Sequence, residues 1–161
     1  MVTEKDIWGY LEEVSDPEIP VLTVVDLGVI RTVSLTQELC SIVITPTYSG
    51  CPAMKVIEED IIKLLNSKGI ANVKVDLTLF PAWSTDWISE NGRKKLLEYG
   101  IAPPENEVDK SVLFAEPTVV PCPLCKSRNT KMISQFGSTA CKAHYQCNDC
   151  LEPYDYFKCL K

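Results

Sequence analysis

Two Cys-x-x-Cys pairs carry the plainest chemistry in this 161-residue chain. Cys122 and Cys125 lie in CPLC and Cys147 and Cys150 in CNDC, with 21 residues between the pairs. Each pair forms a knuckle that presents two sulfurs to one ion, and two knuckles make a tetrahedral four-sulfur site. The segment from Pro121 to Cys159 has only 39 residues, and below about 40 residues a domain rarely folds without metal or disulfides. A structural zinc ion contributes about 10–16 kcal/mol apparent in small peptides, enough to hold such a tail together. Four sulfurs suit zinc and iron–sulfur clusters alike, so zinc is expected and a cluster stays open. Cys141 and Cys159 are surplus to the site and could pack, bind a second metal or exchange thiols. His144, the single histidine, is left no role by a closed four-sulfur site and reads as surface or structural.

A second constellation lies in the first half. In TYSGCPA, Cys51 falls where a strand gives way to a helix, with Pro52 suited to the first helical position. A thiol facing unpaired helix amides and the positive end of the dipole should have a lowered pKa; the alternative is an inert cysteine filling a tight turn. Asp16 and Glu18 in DPEIP read first as a turn and cap. If their loop folds over Cys51, they share a site with Thr45 and Thr47. Cys40 opens a strand and reads as core. Trp83 and Trp87, four apart, read as packing.

The elements that must position these residues follow from periodicity. Thr3 and Asp6 predict a capped helix start, and Ile7, Trp8, Leu11 and Val14 share one helical face until Pro17. VIRTVSL and SIVITPT, joined by TQEL, predict an antiparallel hairpin. Helical spacing then runs from Ala53 to Leu65 with Gly69 as the stop, and Val73, Val75, Leu77 and Leu79 alternate as a half-buried strand. Strand, helix, strand predicts a parallel pair with a right-handed crossover. A further helix is expected from Ser89 to Tyr99, closed by Gly100. The fold class is α+β: a small mixed sheet with covering helices, followed by a small metal-bound β-ribbon. Residues 1–100 form the first domain, 101–120 a proline-rich, acidic linker or arm, and 121–161 the four-cysteine ribbon.

Charge narrows the function. The net charge of −6 argues against a non-specific grip on phosphates. From Thr118 onward, 6 basic side chains face 3 acidic ones, but four thiolates and a zinc ion bring that +3 down to about +1. No nucleic acid partner is expected. No apolar run approaches the ~18 residues of a membrane helix, and the acidic, amphipathic start is unlike a signal peptide. Eight cysteines without an export signal point to metal or thiol chemistry in a reducing compartment, so a cytoplasmic location is expected. No general base stands beside Cys51 in the sequence, which argues against an enzyme in its own right.

DPEIPVLTVVDLGVIRTV, TPTYSGCPA, PAWSTDWIS, LLEYGIAPP and FGSTACKAHYQCNDCLEPYDYFKC, in this order, resemble the PaaD (PaaJ) family of bacterial phenylacetate degradation. The first module also resembles the wider SufT-like iron–sulfur assembly domains, which carry the same DPE loop and cysteine turn. The resemblance implies an accessory protein of the phenylacetyl-CoA epoxidase system that assists iron–sulfur or metal centre assembly without catalysing epoxidation. It implies epoxidase subunits as partners, especially the iron–sulfur reductase or the di-iron subunit. The matching positions are Asp16, Glu18, Thr47, Cys51 and the ribbon cysteines; His144 departs from the aliphatic residue expected there. The alternative is a structural or docking subunit of that complex with no thiol chemistry of its own.

Overall fold

The structure is a computed structural model describing residues 2–104 and 119–158. It divides into two compact units between Gly92 and Arg93. Residues 105–118, which hold most of the expected linker, lie outside the described residues, as does Cys159.

The first unit opens with α1 (Glu4–Leu11), started by a complete capping box in which the Thr3 hydroxyl accepts from the Asp6 amide and the Asp6 carboxylate accepts from the Thr3 amide. Asp, one carbon shorter than the usual Glu, serves here. The helix stops at Leu11, earlier than the shared face through Val14 implies. Glu12 and Glu13 follow it, and acids are unfavourable at the negative end of a helix dipole. Val14 is still buried, but there its carbonyl accepts from Val24. β1 (Ile30–Leu35) and β2 (Cys40–Ile44) form the antiparallel hairpin. The Thr36 hydroxyl closes its turn by accepting from Leu39 N–H at 3.0 Å.

After β2 the chain crosses through α2 (Ala53–Ser67) to β3 (Val73–Leu77), which pairs parallel with β2. Ile57, Ile61 and Leu65 of α2 are buried, as are Ile7 and Leu11 of α1 and Ile42 and Ile44 of β2. The two helices pack on each other and on the three-stranded sheet. β3 ends two residues sooner than its alternation suggested, and Leu77 and Leu79, expected on its buried face, are exposed. The PAWSTDWIS segment is packing: Trp83 is buried and donates its Nε1–H to the Leu27 carbonyl at 2.9 Å. Arg31 stacks 3.6 Å over the ring of Trp87. Gly28 lets the Trp87 backbone pack directly against it, since its φ is +71° and a Cβ there would lie 2.4 Å from the Trp87 carbonyl oxygen.

α3 (Glu90–Glu98) is followed by Gly100 at φ +87°. In the second unit β4 (Ile101–Ala102), β5 (Thr130–Ser134), β6 (Lys142–Cys147) and β7 (Pro153–Phe157) form a sheet ordered β4-β7-β6-β5. Ile101 and Ala102 therefore belong to the ribbon sheet, paired parallel to β7, and not to a linker. Three tyrosines fill the ribbon core: the ring of Tyr145 stacks on Tyr154 at 5.9 Å and meets Tyr156 edge-on at 5.7 Å. Such pairs contribute about 0.5–1.5 kcal/mol beyond burial.

Candidate functional site

The two knuckles are built alike. Cys122 N–H donates to the Ser127 carbonyl at 2.9 Å, and Cys147 N–H donates to the Glu152 carbonyl at 3.0 Å. After each pair the chain turns through a left-handed residue, Lys126 at φ +65° and Leu151 at φ +64°. These turns bring the Cys122, Cys125, Cys147 and Cys150 sulfurs within 4.8 Å of one another. The Cys122–Cys150 and Cys125–Cys147 sulfurs are 3.7 and 3.5 Å apart. A Zn–S bond of about 2.3 Å gives a tetrahedron with edges of about 3.8 Å, so the four donors fit zinc.

The protons tell the same story. The Cys150 and Asp149 amides, donating to sulfur, hold the Cys147 thiol down at about 7. At Cys150 the Glu152 amide pulls downward, but burial and the neighbouring sulfurs push the thiol up to about 12. Four thiols this close cannot all ionise unless a cation joins them. Behind them Tyr154 donates its hydroxyl to the Val120 carbonyl at 2.7 Å, and burial together with the nearby thiolates raises its pKa.

The other ribbon candidates stand apart from the sulfur cluster. Cys141 is buried, with its sulfur 3.0 Å from the Thr139 hydroxyl. His144 Nδ1 lies 3.3 Å from Asp155 Oδ1, a structural pairing.

In the first unit, Cys51 sits half-buried in the loop between β2 and α2. Pro52 is the cap of α2 and not its first residue, so Cys51 lies one position further out than expected. Its pKa is raised and not lowered. Burial is the largest cause; the Ala53 amide and the Tyr48 side chain pull the other way, and the charges of Glu18 and Asp16 add to the rise. The same two charges place the DPE loop within electrostatic reach of Cys51. Asp16 is buried, and its Oδ1 accepts from the Glu18 and Ile19 amides at 2.8 Å each. Its turn-capping role is therefore real and coexists with its influence on the thiol. Thr47 is half-buried in the same loop. Cys40 is buried core, as expected.

Two residues of this loop carry more than the sequence suggested. Tyr48 touches Cys51 from three positions before it, a contact that only the tight turn reveals. The buried Thr45 hydroxyl has no hydrogen-bond partner among the described residues. Leaving a buried hydroxyl unsatisfied costs about 1–3 kcal/mol.

Fold and sites together define an α+β domain with a cysteine-bearing loop, followed by a four-cysteine zinc ribbon. Residues 4–77 match the iron-sulfur cluster assembly protein family, and residues 106–158 match the PaaD zinc beta ribbon domain. The chain belongs to the PaaD family. It is 48% identical over 155 residues to an Escherichia coli protein named as a subunit of 1,2-phenylacetyl-CoA epoxidase, covering 96% of this chain and 92% of the relative. An Fe-S protein maturation auxiliary factor of Porphyromonas gingivalis is 42% identical over 58% of this chain and 90% of its own length. A solved domain of unknown function from Bacillus anthracis superposes with a TM-score of 0.54 at 29% identity, over 58% of this chain and 90% of that one. A conserved hypothetical protein from Thermotoga maritima does so at 0.51 and 30%, over 59% and 94%. Among the described residues no helix is long and apolar enough to cross a membrane.

Proposed function

We propose that this protein is a cytoplasmic, non-catalytic maturation factor of a phenylacetyl-CoA epoxidase system, assisting the assembly of an iron–sulfur or other metal centre. Its partners would be epoxidase subunits, foremost the iron–sulfur reductase or the di-iron subunit. One observation carries the reading: a half-buried thiol, Cys51, under the field of Asp16 and Glu18. Burial and those carboxylates keep the thiol protonated at rest, and the same negative field attracts a cation. An arriving iron ion displaces the thiol proton and gains a thiolate ligand, which is what brief custody of a metal or cluster requires. Thr47, in the same loop, and the unsatisfied Thr45 hydroxyl supply polar groups for that cargo.

A second reading, a docking role within the epoxidase complex, is favoured by the apolar knuckle tips, where Leu124 and Leu151 are exposed. Replacing Cys51 with Ala separates the two. The maturation reading expects an intact fold and intact ribbon metal, with slower growth on phenylacetate and a lower cluster content in the reductase. Normal growth and normal client clusters in that variant would leave the docking reading standing alone.

A further inference from the structure

The zinc knuckles are tied to each other by a bracket that uses no sulfur. Ser127, just beyond the first knuckle, donates its hydroxyl to Asp149 Oδ2 inside the second. The Asn129 side-chain amide donates to Asp149 Oδ1 at 2.7 Å, and Asn129 N–H donates to the Ser127 hydroxyl at 3.0 Å. From the second knuckle, Asn148 reaches back through its backbone N–H to the Asn129 carbonyl at 2.8 Å and through its side-chain amide to Asn129 Oδ1 at 3.0 Å. Both oxygens of one carboxylate are thus held by groups on the segment that follows the opposite knuckle. The Cys122 amide bond to the Ser127 carbonyl fixes the bracket to the first ligand pair.

We propose that Ser127, Asn129 and Asp149 form a latch that presets the separation of the two knuckles, with Asp149 the positioning residue for the metal. The inference rests on the zinc reading of the four cysteines. Without the latch, each knuckle still offers two sulfurs, but the metal must supply the work of bringing the pairs to edge distances near 3.5–3.7 Å. Groups behind a metal's ligands commonly change affinity by about 10–100-fold when removed, and a fall in that range is expected here.

The test uses the full-length protein, with zinc as the probe and a colorimetric chelator as competitor. Asp149→Ala should weaken zinc binding by about 10–100-fold with all four cysteines present. Ser127→Ala should weaken it less. The double variant should lose less than the two single losses combined, because both remove one latch. Lys131→Ala is the control, truncating an exposed β5 side chain that belongs to neither knuckle nor the bracket. Cobalt(II) loaded into Asp149→Ala should also show an altered d–d spectrum, a sign of changed tetrahedral geometry that a general loss of stability does not produce. If Asp149→Ala binds zinc within about twofold of the parent, or Lys131→Ala loses as much, the latch is overturned. Loss of all four-sulfur cobalt signal in the parent would instead overturn the zinc reading on which the latch rests.

Discussion

At the scale of the residue, Cys51 shows how position alone can mislead. A helix start suggests a thiolate, and the Ala53 amide does donate to the sulfur. Burial and two carboxylates outweigh it. Cys51 in the native protein should therefore alkylate slowly at pH 7 and faster only above the ordinary thiol range. Asp16→Asn and Glu18→Gln should speed the reaction at neutral pH, and pH profiles of iodoacetamide labelling resolved by mass spectrometry will show it. The linkage has a definite sign: a thiol that keeps its proton more firmly when folded makes the fold less stable as pH rises past that range. Cys40, raised by burial, adds to the same trend. Thr45 offers a second residue-scale expectation. Thr45→Val removes an unsatisfied buried hydroxyl at nearly constant volume, so the first unit should gain about 1 kcal/mol in denaturant unfolding. If the hydroxyl serves cargo, the more stable variant will support less growth on phenylacetate.

At the scale of the element, what could be read from sequence was local. The hairpin runs, the stop at Gly69, the Thr3–Asp6 cap and the knuckle spacing each depend on a few adjacent residues. Beyond the parallel β2–β3 pair and the four-cysteine cluster, long-range polar ties were not legible. Asp26 is buried and accepts at Oδ1 from the Ser89 hydroxyl at 2.8 Å and from the Asn91 amide at 3.2 Å, over 60 residues away in the chain. No pattern around VVDLG announces that clamp. The Asp149 bracket escaped for the same reason, since Ser, Asn and Asp beside a knuckle read as ordinary turn residues. The knuckle turns also carry a testable cost. Leu151 is 67% exposed and left-handed, a conformation that costs a side-chain-bearing residue about 1–2 kcal/mol. Glycine loses about 0.5–1 kcal/mol of chain entropy in return, so Leu151→Gly should stabilise the metal-loaded ribbon by about 0.5–1 kcal/mol. Should thermal unfolding show the ribbon weakened, Leu151 makes a contact that its exposure conceals.

At the scale of the whole molecule, the chain joins two ways of holding a fold. The first unit relies on aliphatic side chains from two helices and a sheet, whereas the main core cluster of the ribbon gathers, among the described residues, eight buried side chains, three of them tyrosine and two of them sulfur donors. This partition labels the chain optically. Trp8, Trp83 and Trp87, all the tryptophans of the sequence, lie in the first unit, while Tyr145, Tyr154 and Tyr156 pack in the second. Tryptophan emission thus watches one unit alone, and near-ultraviolet tyrosine dichroism watches mainly the other. A single unmodified sample, titrated with a chelator, can report the loss of the ribbon in one channel while the other stays silent, with no dye, tag or truncation.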